Sequence, residues 1–427
     1  MLPADARSPT SPSRDLVRDG RPARRGGSAA SLALAAPALP ALLLPAWLAL
    51  AGAAACTLPG CTDPPPGSVP AAKTVDEASF AAGRDGPRLA ERGGVPLESV
   101  VAGLEELIPR AMAREGVPGL SIALIVDGRV VWAKGFGVKD TTTGEPVTVV
   151  SAFRGASLTK PLVAYAALEL CEKGVLELDR PLDDYLPEPY LDDPRVRDIT
   201  LRMVLSHTSG FTSLEAGRGH IIRTPGTGFL YSNDAFRYLQ HVLEHVTGRP
   251  LADHMAESVF RPLGMRETSL VWTPAYETLA ARGHDGDRPL PLYRPTRANG
   301  AYGVYTTPTD YALFLIELMD AGSGDGHRLS RAYVDLMLTP HAKVSDRVSW
   351  GLGIGLAHAE DGGGDWFWQW GWMGGFRAYA AASQGRRTGV VIMTNGTAGL
   401  DICEEIAEEA LGEPQPAFPG LLDLWID

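Results

Sequence analysis

A serine and a lysine stand three residues apart at the head of an apolar run: "GASLTKPLVAYAALELCEKG" places Ser157 and Lys160 just before Leu162 to Cys171, and Gly174 offers a stop. At i,i+3 spacing the two side chains share one helical face. A helix apolar on nearly every side is buried, so a lysine in its first turn needs a reason. A serine hydroxyl is a poor nucleophile until a nearby base takes its proton, and a lysine can be that base if desolvation keeps it partly neutral. Taken alone, the pair also has a plainer reading, in which Ser157 caps the helix and Lys160 snorkels to solvent.

Other stretches carry chemistry-bearing residues. "GFLYSNDAF" holds Tyr231, Ser232 and Asn233, and "FWQWGWMGGFRAY" holds Gln369, Trp370, Gly371 and Trp372. "HVLEH", His241 to His245, fits an inverted zinc-peptidase pattern. With no clear third ligand, it reads instead as an exposed amphipathic face. "GLGIG", Gly351 to Gly355, loosely matches a dinucleotide loop but lacks the full fingerprint and precedes no helix, which favours a packed strand. "SHTSG", Ser206 to Gly210, brings a histidine and hydroxyls into adjacent positions of an expected loop, where local backbone bonding is their usual use. There is no G-x-S-x-G, which disfavours a nucleophile elbow.

The elements that must position these residues follow from periodicity. "ESVVAGLEELIPRAMAREG" predicts a helix, and "GLSIALIVDGRVVWAKGFGV" predicts a hairpin turning at Asp127-Gly128. Residues from about 157 to 300 read as mainly helical with long loops. Thr307 then caps a helix that starts at Pro308, and strand patterns return in "SWGLGIGLA", "FRAYAAAS" and "TGVVIMTN" before a final amphipathic helix, "LDICEEIAEEAL". The fold class expected is therefore α/β of the α+β type: an antiparallel sheet built from both chain ends, flanked by helices, with a mainly helical lobe inserted.

The chain has 427 residues and a formal net charge of −12. The first thirty residues hold six Arg against three Asp, so the remainder is more acidic still, which disfavours nucleic acid or an anionic membrane face as a partner. Arg24 and Arg25 precede an uncharged apolar run from Leu32 to Ala55, read as an export signal covering residues 1–55. Residues 56–94 read as a Pro-rich tether, with Cys56 a candidate for a lipid anchor. The expected location is the periplasm, the cell envelope as a lipoprotein, or the outside. Residues 95–427 form the main domain, with a sheet lobe of about 95–156 and 300–427 and a helical lobe of about 157–299. Of the remaining cysteines, Cys61 sits in the tether, while Cys171 and Cys403 fall in helical patterns and read as buried thiols rather than a disulfide framework.

At these spacings the region from about 95 to 412 resembles the class C β-lactamase and penicillin-binding-protein-like serine hydrolase family, whose order is S-x-x-K, then Y-x-N, then K-T-G or H-x-G. That resemblance implies a β-lactamase/transpeptidase-like fold and an acyl-enzyme mechanism with no metal or cofactor. It implies Ser157 as nucleophile, Lys160 as its base, and Tyr231 as the proton shuttle to the leaving group and the deacylating water. Asn233 would bond the substrate's acyl side chain or Lys160. The third motif supplies Gln369, Gly371 and Trp372, with the N–H groups of Ser157 and Trp372 as the oxyanion hole.

The third motif departs from the pattern, since Gln369 and Trp370 stand where the family has Lys or His and Thr. Trp366, Trp368, Trp370 and Trp372 share one side of a strand and Gln369 the other. The indoles either line the cleft or pack as core beneath a helix layer. Arg377 is available as a substitute cation. The substrate expected is a small-molecule ester, amide or β-lactam, with an esterase or a D-amino-acid peptidase or amidase favoured over an efficient β-lactamase. The alternative is an inactive protein on the same fold that binds penicillin or peptidoglycan fragments. Protein partners and oligomeric state stay unassigned.

Overall fold

The computed structural model describes residues 91–92, 94–212, 219–320, 329–358, 365–415 and 417–418. The leader, Cys56 and Cys61, and most of the tether lie outside the described residues. Glu91–Arg92 pairs with Val95–Pro96 in a two-residue ladder at the start of the described chain.

Helix α1 (Leu97–Glu115) buries Val100, Leu104, Ile108, Ala111 and Met112 at helical spacing, and ends at Gly116 in the left-handed region. Strands β1 (Gly119–Val126) and β2 (Arg129–Gly137) form the expected hairpin. Asp127 and Gly128 both have positive φ, 51° and 70°, which is the twist that a two-residue turn between right-twisted strands requires. Strand β3 (Phe153–Ala156) leads into helix α2 (Thr159–Glu172), in which only Glu172 escapes burial. The inserted region then carries α3 (Leu201–Leu205) and α4 (Asn233–Thr247), the latter capped by Ser232 Oγ accepting from the Ala235 N–H at 3.1 Å.

Strand β4 (Val304–Thr306) pairs with β3, and Thr307 Oγ1 accepts from the Asp310 N–H at 3.1 Å to start α5 (Pro308–Asp320), as its sequence predicts. The chain returns through β5 (Ala342–Lys343), β6 (Val348–Trp350), β7 (Gly355–Ala357), β8 (Trp366–Met373), β9 (Phe376–Ser383) and β10 (Thr388–Thr394), and ends in α6 (Gly399–Leu411). "SWGLGIGLA" is thus two short strands and not one. Gly353 turns at a φ of 82°, and a Cβ there would lie 2.3 Å from Ala164 Cβ, so only glycine lets this edge of the sheet lie against α2.

The eight-stranded antiparallel sheet has the order β5-β6-β7-β8-β9-β10-β1-β2. It draws on residues 119–137 and 342–394, and residues 157–299 add no strand to it. Both faces are covered, so β1 is buried along its whole length. Leu120, Ile122, Leu124 and Val126 join the core with α1 and α6, while Ala123 and Ile125 join the larger core with α2, α5 and the inserted helices. Cys171 and Cys403 are buried free thiols.

Candidate active site

The turn that carries Ser157 is held on all sides. Ala156, immediately before it, has a φ of 48°, a left-handed conformation costing about 1 kcal/mol for a residue with a Cβ. Thr159 repays this by bridging: its Oγ1 donates to Ala156 O at 2.6 Å and accepts from the Val304 N–H at 3.0 Å, tying the turn to β4. Tyr311 Oη on α5 donates to Leu158 O at 3.1 Å. Ser157 therefore does not cap α2; Leu158 occupies that position without a side-chain bond.

Lys160 does not snorkel. It is 0% exposed, and its Nζ meets Ser157 Oγ at 3.0 Å, Asn233 Oδ1 at 2.7 Å and Ala301 O at 2.9 Å. Burial pushes its pKa well below the ordinary lysine value. The two carbonyl oxygens can only accept, so they fix two N–H bonds of the nitrogen. Its remaining tetrahedral position points at Ser157 Oγ, as a lone pair in the amine and as a donor in the ammonium. Among the described residues no carboxylate touches Lys160; the rings of Tyr231 and Phe236 lie 4.7 and 5.6 Å from Nζ.

Tyr231 is brought in by the loop before α4. Its phenol hydrogen-bonds with Ser157 and accepts from Gln369 Nε2 at 3.3 Å. Desolvation raises its pKa against the lowering effect of those two bonds, so the resting side chain is a neutral phenol. The ring stacks on Trp370 at 5.4 Å.

Behind it stands His207, from the "SHTSG" segment. This residue is fully buried at a φ of 55°; its carbonyl accepts from the Leu230 N–H at 2.7 Å and its Nδ1 from the Ser232 N–H at 3.1 Å. The residues on either side of Tyr231 are thus both anchored to His207, whose ring lies 4.3 Å from the phenol ring. Because Nδ1 accepts, the proton is assigned to Nε2. Burial holds the ring neutral, and a proton on the neighbouring Lys160 would act in the same direction. The loop-bracing expected of this segment is therefore bracing of the tyrosine.

Strand β7 pairs only with Trp366 to Trp368, so from Gln369 onward that edge of β8 is left uncovered by it and borders the site. Gly371 packs against the nucleophile turn: a Cβ there would lie 2.3 Å from Gly155 O. Gln369 is buried, its Nε2 also reaching Trp370 O at 3.1 Å. Trp366, Trp368 and Trp370 are at most 1% exposed and belong to the core with α1 and α6, Trp368 stacking on Trp370 at 5.2 Å. The tryptophan face is thus core and not cleft lining, except for Trp372, which is 51% exposed. Arg377 lies under the Trp372 ring at 4.0 Å and donates to Gly374 O and Phe376 O, on the face of β8 opposite Gln369. It does not replace the missing cation beside Gln369, because a cross-strand partner of Trp372 shares the indole face.

His241 and His245 lie on α4, His241 exposed beside Tyr190. Among the described residues no three His, Cys, Asp or Glu side chains are placed to hold a metal ion.

Comparison with known proteins agrees with this fold. Residues 104–411 match the model of the family described as Beta-lactamase. Penicillin-binding protein 4 of Amycolatopsis lactamdurans is 29% identical over 327 residues, 70% of this chain and 86% of that protein. Esterase EstB of Burkholderia gladioli is 31% identical over 226 residues, 45% of this chain and 57% of the esterase. Among solved structures, the D-alanine carboxypeptidase AmpC from Burkholderia cenocepacia has a TM-score of 0.65 at 25% identity, covering 74% of this chain and 99% of that one.

Proposed function

The chain belongs to the Beta-lactamase family of serine hydrolases, and on that premise we propose that it cleaves small esters or amides through an acyl-enzyme on Ser157. The single observation that carries the reading is the placement of a fully buried Lys160, with no carboxylate beside it among the described residues, at 3.0 Å from Ser157 Oγ. In acylation, Ser157 Oγ gives its proton to the Lys160 amine and attacks the carbonyl carbon, while the Tyr231 phenol protonates the leaving group. The carbonyl oxygen gains charge between the N–H groups of Ser157 and Trp372. In deacylation, the Tyr231 phenolate takes a proton from water, the hydroxide attacks the acyl carbon, and Lys160 returns its proton to Ser157 as the bond to Oγ breaks. Asn233 keeps Lys160 in place throughout.

Gln369 is a neutral amide where the leaving group emerges. A charge-assisted hydrogen bond is worth roughly twice a neutral one, so substrates that carry a carboxylate on the leaving side, as penicillins and cephalosporins do, are disfavoured relative to neutral esters and amides. The activity proposed is accordingly that of an esterase or D-amino-acid peptidase or amidase. Labelling by a fluorophosphonate or a fluorescent penicillin, followed by turnover of p-nitrophenyl esters, tests this. Label and turnover in wild type, both lost in Ser157→Ala, are expected; label without turnover of any ester, amide or β-lactam identifies the inactive binding protein instead.

We also propose export, on the Arg-flanked apolar leader. Intact-mass measurement on envelope fractions is expected to show a chain starting after about Ala55, free or lipidated at Cys56, and a full-length cytosolic product refutes it.

A further inference from the structure

Arg154 stands three residues before Ser157, on β3, and is half-buried. Its guanidinium donates to Met373 Sδ and lies 4.4 Å from the centre of the Tyr293 ring, and the other ionisable groups near it are the phenols of Tyr302 and Tyr305. Among the described residues no carboxylate pairs with it. A partly desolvated cation surrounded by a thioether and tyrosines lacks the partner that normally compensates its burial. The Tyr293 ring is 52% exposed, so the guanidinium is walled on one side by a surface open to solvent. Its neighbours also locate it at the site: Tyr302 follows Ala301, whose carbonyl holds Lys160, and Met373 follows Trp372 on the uncovered edge of β8.

The order of residues along β8 sets which part of a substrate would meet it. Gln369, Gly371 and Met373 share one face at period two. Gln369 meets the Tyr231 phenol, which serves the leaving group; Gly371 packs on the nucleophile turn, where the carbonyl carbon sits; Met373 meets Arg154. Arg154 therefore lies on the acyl side of the scissile bond. Gly371 and Met373 are two residue steps apart along the strand, a distance of about 6.6 Å, which is the reach of a chain of four or five atoms from the scissile carbonyl.

From this arrangement, and resting on the serine-hydrolase reading above, we infer that Arg154 is a subsite for a carboxylate on the acyl group, so that the preferred substrates are esters or amides of short dicarboxylic acids. The planar guanidinium fork matches a carboxylate bidentately, and the Tyr293 ring 4.4 Å away helps fix its orientation. The neutral Gln369 on the leaving side and the cation on the acyl side then act together, since the substrate's one acid group is read at the end opposite to that of a β-lactam.

The test compares p-nitrophenyl hemiglutarate with p-nitrophenyl valerate, which differ by a carboxylate in place of a methyl group, and reads the ratio of their kcat/KM values. In wild type the ratio is expected to favour hemiglutarate by at least about tenfold, the size of one charge-assisted hydrogen bond. In Arg154→Met it is expected to fall by about tenfold or more whatever happens to the absolute rates, with Arg154→Lys between the two. Glutarate is expected to inhibit the wild-type valerate reaction at a concentration about tenfold below that needed with valerate, a measurement that needs no variant. A ratio unchanged in Arg154→Met, or equal inhibition by glutarate and valerate, overturns the subsite. Retention of both activities by Ser157→Ala overturns the parent reading instead, so the two failures are distinct.

Discussion

Replacing Lys160 by methionine is expected to make stability less dependent on pH, in a direction set by burial. Burial holds the folded-state pKa of Lys160 well below the ordinary lysine value of 10.5. Between the two values the unfolded chain binds a proton that the folded chain does not, so wild-type stability rises with pH across that window and is lost as pH falls through it. The slope approaches about 1.4 kcal/mol per pH unit while the folded amine stays neutral, and the loss stops below the folded pKa. Methionine has no proton to bind. The stability of Lys160→Met minus that of wild type therefore grows as pH is lowered from 10.5. Loss of the donor to Asn233 Oδ1 and Ala301 O costs about 1–3 kcal/mol for each oxygen left unpaired, but this offset is independent of pH and only displaces the curve. Above pH 7.5, His207 is neutral in both proteins and the Tyr231 phenol, its pKa raised, keeps its proton. Urea denaturation at intervals from pH 7.5 to 10 reads the difference directly. Parallel curves for the two proteins refute the reasoning, because they require an ammonium with an ordinary pKa in the folded state.

Ser157→Ala, Lys160→Ala and Tyr231→Phe are each expected to lower kcat by about a thousandfold or more and to combine non-additively in double variants, while His241→Ala with His245→Ala leaves turnover intact. Gln369→Lys is expected to shift the ratio of β-lactam to neutral-ester hydrolysis several-fold towards β-lactams, corresponding to about 1 kcal/mol, and an unchanged ratio would contradict its assignment to the leaving side. Gly371→Ala places a Cβ 2.3 Å from Gly155 O, so denaturation is expected to show a loss of about 1–3 kcal/mol and esterase assays a fall in kcat. His207→Leu removes the acceptor for the Ser232 N–H and strains a residue at positive φ; kcat is expected to drop with KM nearly constant, and His207→Asn, which tolerates that φ and keeps an acceptor, to recover part of it.

The architecture was legible because its long elements carry clean periodicities: α1, the β1–β2 hairpin, α5 and the last two strands all lie where alternation and turn chemistry put them. The meeting of Ser157, Lys160, Tyr231, Asn233 and Gln369 was readable because each is a side chain with a distinctive use at a motif spacing. Three parts of the site had no such signal. Ala301 contributes a backbone carbonyl, which any residue could offer. Ala156 contributes a strained φ that alanine rarely adopts. His207 was visible as a residue, but its place behind Tyr231 depends on a loop closing across the helical lobe. The tryptophans show a different limit: alternation told which ones share a face, and only the presence of α1 and α6 over that face decided that Trp366, Trp368 and Trp370 are core.

The position of β10 between β9 and β1 has a consequence for how the chain acquires its shape. Strand β1 is buried throughout in the finished sheet, yet its partner on that side begins at Thr388, more than two hundred residues later. Until those residues are made, the β1–β2 hairpin presents an apolar strand with an unsatisfied edge, a template for pairing with another chain. Pairings this distant also close slowly, because loop entropy is lost before contacts are gained. Nascent chains are therefore vulnerable for most of their synthesis. A truncation just before Thr388 would retain Ser157, Lys160, Tyr231 and Gln369 and still produce an aggregating chain in place of a slow enzyme.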